Sequence, residues 1–123
     1  MLLDSYAWIE FFQASEKGKR VEQILSSKKC YTSIVSVSEV IEWCLKNSRD
    51  YQDRISRMER LSQIIPLNKK IVMLSGKINF EHKKKIKGWG MMDSMIYSTA
   101  VIYGLSVLTG DQHFKKLDNA EML

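Results

Sequence analysis

Short apolar segments alternate with longer amphipathic segments along the whole chain, and this alternation limits the fold more than any other feature. The longer segments have helical periodicity and lie at residues 6–13, 16–27, 36–47, 50–62, 69–87 and 91–104, with a short helical turn at 112–116. The apolar segments resemble short strands and are "MLLD" (1–4), "CYTSIV" (30–35), "QIIPL" (63–67), "SVLT" (106–109) and "AEML" (120–123). This alternation predicts an α/β fold with three layers, in which helices cover both faces of a parallel sheet of four to five short strands.

Length and composition favour one globular domain over residues 1–123, since hydrophobic residues make up 45% and charged residues 27% of the chain. Cys30 and Cys44 are too few for a disulfide framework and are expected in the core. The N-terminal residues lack the pattern of a signal peptide, and the uncharged segment 94–110 is too short and too interrupted for a membrane span. These features predict a cytoplasmic protein with no membrane partner.

The basic residues are concentrated in one part of the chain. The net charge is +5, and the window 69–87 holds seven lysines against one acid, Glu81. A basic patch is the expected footprint of a polyanionic partner, although a solvated helix face has the same composition. His82 lies within this window and is expected to face solvent.

Four carboxylates occupy positions that a parallel sheet would bring together. Asp4 and Asp111 follow predicted strands, Asp93 opens a predicted helix, and Glu39 lies in the helix after the second strand. Ligands of such sheets bind beyond the carboxyl ends of the strands. Each aspartate could instead cap a helix, and Glu39 could complete a capping box with Ser36.

A joint role explains the four acids better than four separate caps. Carboxylates at short range raise each other's pKa, so a fold tolerates such a group where a cation compensates the charge. Oxygen ligands without a neighbouring histidine or cysteine suit Mg²⁺ or Mn²⁺. Such ions activate water and stabilise displacement at phosphorus.

The acids and their flanking residues resemble those of PIN-domain ribonucleases, and the chain length resembles that of the VapC-type toxins of toxin–antitoxin modules. The matching segments are "LLDSYAWIEFF" with Asp4, "SIVSVSEVIEW" with Glu39, "GWGMMDSMIYSTA" with Asp93 and "LSVLTGDQHFKKL" with Asp111. The last segment is the most specific, because it contains the family's T-x-D-x-x-F pattern. The resemblance covers the whole chain.

The resemblance implies roles for individual residues. Asp4, Asp93 and Asp111 would bind Mg²⁺ or Mn²⁺, with Glu39 as a further ligand or a proton-handling group, so that all four are candidate catalytic residues. The supporting residues would be Thr109, Ser5 and Glu42, although Glu42 also suits a surface position. The notable departure is His113, which has no assigned role and is expected at the surface.

The resemblance also implies partners. These are an RNA substrate, a cognate antitoxin and a second copy of the chain in a homodimer. Residues that could contact RNA are Lys83, Lys84, Lys85, Lys87 and Trp89, where the tryptophan would stack on a base or else belong to the core.

Other functions fit the residues less well but stay open. A catalytically degenerate PIN fold that only binds RNA or protein would keep the acids as caps. A receiver-like phosphoacceptor would require a lysine after a late strand, where this chain has Thr109 and Gly110. A dinucleotide-binding fold is disfavoured because no G-x-G-x-x-G follows the first strand.

Overall fold

The computed structural model describes all residues, Met1–Leu123, and contains one fully parallel sheet of five strands. The strands are β1 (Leu2–Leu3), β2 (Tyr31–Ser33), β3 (Gln63–Ile65), β4 (Val107–Thr109) and β5 (Ala120–Met122). Their order across the sheet is β3-β2-β1-β4-β5, so the first strand of the chain lies at the centre. The predicted parallel α/β architecture is confirmed.

Helices connect the strands and cover both faces of the sheet. They are α1 (Ser5–Gln13), α2 (Glu16–Ser27), α3 (Ile34–Lys46), α4 (Tyr51–Leu61), α5 (Lys69–Lys83) and α6 (Met91–Tyr103), with a 3₁₀ turn at Gln112–Phe114. Gly104 ends α6 in the left-handed conformation (φ 65°), as its position after the apolar run predicted. None of these helices combines the length and the apolar character that a membrane crossing requires.

Neighbouring residues of the central strands point to opposite faces and enter two separate cores. Leu3 and Leu108 pack with apolar residues of α1 to α4 on one face, and Leu2 and Val107 pack with α5 and α6 on the other. Trp8 is fully buried in the first core, where its indole N–H donates to the Thr32 hydroxyl at 3.0 Å. The sheet is therefore the middle layer of three.

Helix α3 begins earlier than its sequence pattern predicts, which corrects the assignment of its cap. Ser33, not Ser36, caps the helix, because the Ser33 hydroxyl accepts the Val35 N–H at 3.2 Å. The apolar residues Ile34 and Val35 therefore form the first helical turn and do not extend β2. Ser36 is buried without a hydrogen-bond partner for its hydroxyl, and Glu39 belongs to no capping box.

Helix α5 ends at Lys83, whereas the sequence pattern predicted that it would continue to residue 87. The chain then turns so that Ile86 and Trp89 reach the core on the α5 and α6 side of the sheet. Gly88 allows this turn by adopting a positive φ of 84°, which L side chains rarely tolerate. Burial of Ile86 and Trp89 explains why the helix ends before the lysine-rich segment does.

Candidate metal centre

The strand pairing places Asp4 and Asp111 at the same edge of the sheet. Strand β1 pairs in parallel with β4, with Leu3 opposite Leu108, and the Asp4 N–H donates to the Leu108 carbonyl at 3.3 Å. Both aspartates follow the last residues of their strands. The sequence-based expectation that these acids share the carboxyl edge of the sheet agrees with this arrangement.

Asp4 is the most deeply buried acid of the chain, with 4% of its surface exposed. Its Oδ1 accepts the Ala7 N–H at 3.0 Å and so caps α1. Burial raises the pKa of Asp4 to about 7, and the charges of Asp111 and Glu39 add to this rise, while the Thr109 hydroxyl and the Ala7 N–H oppose it. Asp4 is therefore a carboxyl whose charge is costly without a compensating cation.

The turn after β4 holds Asp111 through its neighbours. The Asp111 N–H donates to the Thr109 hydroxyl at 2.9 Å, and Asp111 Oδ1 accepts the His113 N–H at the same distance. An added Cβ at Gly110 would overlap the ring of Tyr6, so only glycine permits this packing. Thr109 thus contacts both strand-end acids, and its orienting role stays a prediction.

Glu39 reaches the same site from the second turn of α3. Its Oε1 is buried and has no hydrogen-bond partner. Burial raises the pKa of Glu39, nearby acids including Asp93 and Asp111 raise it further, and the Ser5 hydroxyl lowers it. A buried carboxylate oxygen without a donor is unfavourable unless a proton or a cation occupies the space beside it.

Asp93 enters from the first turn of α6. Its carboxylate accepts the Gly90 N–H at 3.0 Å, which stabilises the start of the helix. Burial raises the pKa of Asp93, and the charge of Asp111 acts in the same direction. The charge of Asp111 therefore acts on the other three predicted acids, and three of the four acids also accept a backbone N–H at the start of a helical segment.

One group of side chains that could hold a metal ion includes a residue that was not predicted from the sequence. Donor atoms of Asp93, Asp111 and His113 lie within 4.8 Å of one another, and His113 Nδ1 is 3.1 Å from Asp111 Oδ1. Asp4 and Glu39 lie outside this group of three. His113 lies at the surface as expected, with its side chain 35% exposed, but it also faces an acid, which was not expected. The signal in the sequence was its spacing, two residues after a strand-end aspartate.

These residues fit a divalent cation. The site combines carboxylate oxygens with an imidazole nitrogen. Two of these potential metal-ligand atoms, Glu39 Oε1 and His113 Nδ1, are buried and have no hydrogen-bond partner. Repulsion among the acids and the unpaired atoms would both be relieved by a bound cation. The predicted acidic cluster thus has the chemistry of a metal centre.

A groove extends from the acids along α3. It has a volume of about 500 Å³ and is lined by Ser5, Ile9, Ser38, Glu39, Glu42, Trp43, Lys46 and Met92. Glu42 is exposed and pairs with Lys46 at 2.9 Å, so it lies at the rim of the groove, where the surface interpretation placed it. Ser5 lies closer, with its hydroxyl beside Glu39.

The predicted RNA-contacting lysines divide into two groups. Lys85 and Lys87 line a second groove of about 290 Å³ together with His113, Lys115 and Lys116. The last two lysines were not predicted to contact RNA, although they directly follow the T-x-D-x-x-F pattern that ends at Phe114.

The other two predicted lysines lie apart from this groove. Lys84 packs over the Phe80 ring at 3.9 Å and lies 4.0 Å from Glu81. Lys83 is the exposed last residue of α5.

Two aromatic assignments near the lysines need correction. Trp89 is 3% exposed and donates its indole N–H to the Ser94 hydroxyl at 2.7 Å, so it belongs to the core and cannot stack on a base from this position. His82 does not face solvent, because its ring packs against Trp89 and Tyr97.

Comparison with known proteins is consistent with this site. The family model described as the PIN domain matches residues 1–120. No curated protein sequence matches the chain.

Several solved structures are similar to the chain. One is a toxin–antitoxin complex from Klebsiella pneumoniae, with a TM-score of 0.78, 19% identity, and coverage of 98% of this chain and 95% of that chain. Another is VapBC2 from Rickettsia felis bound to a promoter DNA fragment, with a TM-score of 0.77, 17% identity, and coverage of 99% and 97%. A third is Mycobacterium tuberculosis VapC20, a sarcin–ricin loop cleaving toxin, with a TM-score of 0.76, 12% identity, and coverage of 96% and 95%.

At these identities the structural likeness establishes a shared fold. The family match rests on the sequence itself and spans nearly the whole chain, including all four carboxylates at the carboxyl edge of the sheet. This chain is therefore a member of the PIN domain family.

Proposed function

We propose that the protein is a divalent-metal-dependent endoribonuclease that hydrolyses RNA phosphodiester bonds. The observation that carries this proposal is the buried Glu39 Oε1, which has no hydrogen-bond partner and faces the other acids. Helix capping explains the hydrogen bonds that Asp4, Asp93 and Asp111 accept. It does not explain why the carboxylate of Glu39 is buried. A site for a cation and an attacking water explains all four residues together.

The chain's own residues would divide the work as follows. Asp93 and Asp111 would hold Mg²⁺ or Mn²⁺ directly, with Asp4 behind Asp111 as the deeper acid. A bound ion supplies Lewis acidity, which lowers the pKa of water and stabilises negative charge at phosphorus. Glu39 would accept a proton from the attacking water through its free oxygen, and Thr109 would keep Asp4 and Asp111 aligned.

The two grooves suggest how the substrate and a protein partner bind. The lysine-lined groove beside His113 would hold the RNA backbone by charge, without reading its sequence. We propose that the chain is the toxin of a toxin–antitoxin pair that blocks translation. It would act in the cytoplasm as a homodimer, with residues 1–123 forming one domain. An antitoxin segment would cover the groove lined by Ile9, Trp43 and Met92.

Cleavage of total RNA by the purified protein tests this proposal. Wild type is incubated with Mn²⁺, Mg²⁺ or EDTA beside Asp93→Asn, in which the amide oxygen can still accept the Gly90 N–H. We expect metal-dependent cleavage that falls by at least about a hundredfold in the variant, because a ligand to the catalytic ion is lost. The control is Asp50→Asn, since Asp50 also accepts backbone N–H groups at the start of a helix, α4, but is exposed and away from the site.

A catalytically inactive module that binds RNA or protein is the second candidate. The cap hydrogen bonds of Asp4, Asp93 and Asp111 favour it, because they give these residues a purely structural use. The two candidates differ in their response to metal. A nuclease should gain thermal stability from Mn²⁺, whereas no cleavage and an unchanged melting temperature would contradict the nuclease.

A further inference from the structure

The imidazole of His113 is held between two elements of the site. On one side its Nδ1 lies 3.1 Å from Asp111 Oδ1. On the other side its Nε2 lies so close to Gly88 that an added Cβ there would be only 2.7 Å away. The glycine therefore forms a cradle for the ring, and the ring has little freedom to turn away from the acids.

The position of Nδ1 leaves it without a hydrogen bond. The atom is buried and has no partner of acceptable geometry, although Asp111 Oδ1 is near. That oxygen already accepts the His113 main-chain N–H at 2.9 Å. A ring nitrogen without a hydrogen bond, beside Asp111 and in a group with Asp93, can bind a metal ion through its lone pair.

The distances agree with this interpretation. Two ligands on adjacent positions of an octahedral ion with bonds near 2.1 Å lie about 3 Å apart. The observed distance of 3.1 Å between His113 Nδ1 and Asp111 Oδ1 has this value, and the Asp93 carboxylate lies within 4.8 Å of both groups.

We propose that His113 is a ligand of the metal ion, together with Asp93 and Asp111, and that its nitrogen makes the centre select Mn²⁺ over Mg²⁺. Mg²⁺ binds almost entirely through oxygen, whereas imidazole is a common ligand of transition metals. The inference deepens the proposed nuclease function and rests on it, since it concerns the ion that the nuclease would use.

Metal binding measured without RNA tests the ligand directly. Wild-type protein and His113→Ala are titrated with Mn²⁺ and with Mg²⁺ by calorimetry. We expect the variant to bind Mn²⁺ at least about tenfold more weakly while its Mg²⁺ affinity changes by less than about threefold. Pulsed electron paramagnetic resonance of bound Mn²⁺ should show coupling to an imidazole ¹⁴N in wild type and none in the variant.

Two further variants make the result specific. His113→Asn places an oxygen near the Nδ1 position, so it should bind both ions but with a reduced preference for Mn²⁺. Gln112→Ala removes the exposed neighbour and should behave as wild type. Far-ultraviolet circular dichroism of each variant confirms that the chain is folded before titration.

The outcomes separate this inference from the proposed function. Mn²⁺ bound without ¹⁴N coupling, and lost in Asp93→Asn, would overturn the role of His113 while the acidic metal site stands. Unchanged Mn²⁺ and Mg²⁺ affinities in His113→Ala would overturn it in the same way, even if RNA cleavage fell. Failure of wild type to bind either ion would overturn both the inference and the nuclease.

Discussion

Three of the four acids have two uses at once. Asp4, Asp93 and Asp111 each accept a backbone N–H at the start of a helical segment, and each also lies among the acids of the shared site. Each of these hydrogen bonds orients its carboxylate through one oxygen and leaves the other oxygen free of it. Capping and metal binding are therefore compatible explanations of these residues.

Asp4 gives a pH-dependent prediction. The pKa of Asp4 is about 7 in the folded chain, against an ordinary value of 3.8. At a pH between these two values, the Asp4 carboxyl is protonated in the folded state and ionised in the unfolded state. Stability therefore falls as pH rises from about 4 to about 7, by at most about 4 kcal/mol from this group. Asp4→Asn removes the penalty and keeps an oxygen for the Ala7 N–H.

Urea unfolding in EDTA at pH 8 and pH 4.5 measures this effect. The Asn variant should be more stable than wild type at pH 8 and should lose this advantage at pH 4.5. Asp50→Asn serves as the control and should show no such advantage, because Asp50 is exposed. Equal stability of wild type and Asp4→Asn at pH 8 would contradict the charge penalty.

At this scale the sequence pointed to the acids and Thr109 as site residues but assigned no role to His113. Strand-end acids are recognisable because the apolar run before them marks where the sheet edge lies. The place of His113 depends on Gly88, which lies 25 positions earlier and comes close only in the folded chain. A contact between two loops leaves no local pattern, and the same reason explains why Lys115 and Lys116 were not joined to Lys85 and Lys87.

At the scale of elements, the start of α3 determines where Glu39 lies. The Ser33 hydroxyl caps the helix at the end of β2, so helix and strand meet without a loop. Each residue of a helix advances the side chain by about 100°, so a start at Ser36 would have placed Glu39 in the first turn. The observed start moves it into the second turn, where its carboxylate lies near Asp93 and Asp111.

Ser33→Ala tests this cap against the one suggested by the sequence. Loss of the hydrogen bond to the Val35 N–H should lower the free energy of unfolding by about 1 kcal/mol. The matched control is Ser36→Ala, which removes a buried hydroxyl without a partner and should leave stability unchanged or higher. Urea unfolding of both variants gives the comparison, and a larger loss in Ser36→Ala would refute the assignment.

The element boundaries show what sequence patterns can and cannot define. Alternation of strand and helix was predicted correctly because it depends on composition over whole segments. The end of β2 was not predicted correctly, because Ile34 and Val35 favour strands by composition. They enter a helix because Ser33 caps it and because Val35 is buried against the sheet, while Ile34 stays exposed. The end of α5 was missed for a related reason, since Ile86 and Trp89 leave the helix to reach the core.

At the scale of the whole molecule, basic and acidic surfaces lie side by side. The groove with Lys85, Lys87, Lys115 and Lys116 borders His113, and His113 borders the acids. An RNA backbone held by the lysines would therefore pass beside the carboxylates. These four lysines place positive charge next to the site. Lys84 does not, because it packs on Phe80 and lies near Glu81.

The salt dependence of RNA binding measures this contribution. A fluorescent oligouridylate is titrated with Asp93→Asn protein, which prevents cleavage, at several salt concentrations. Changing Lys85 and Lys115 together to alanine should weaken binding and reduce the slope of log K against log salt by about 1.4, or about 0.7 for each lost phosphate contact. The same change at Lys28 and Lys69, which line neither groove at the site, should leave the slope unchanged.

The central position of β1 has a consequence for the order of synthesis. The strand made first lies between β2 and β4, and β4 is made only after α6. A nascent chain that has not yet emerged beyond Ser106 lacks one neighbour of β1 and lacks Asp111 altogether. The ribosome must therefore translate nearly all of residues 1–123 before the four acids can come together. The site is consequently incomplete during most of the synthesis of this segment.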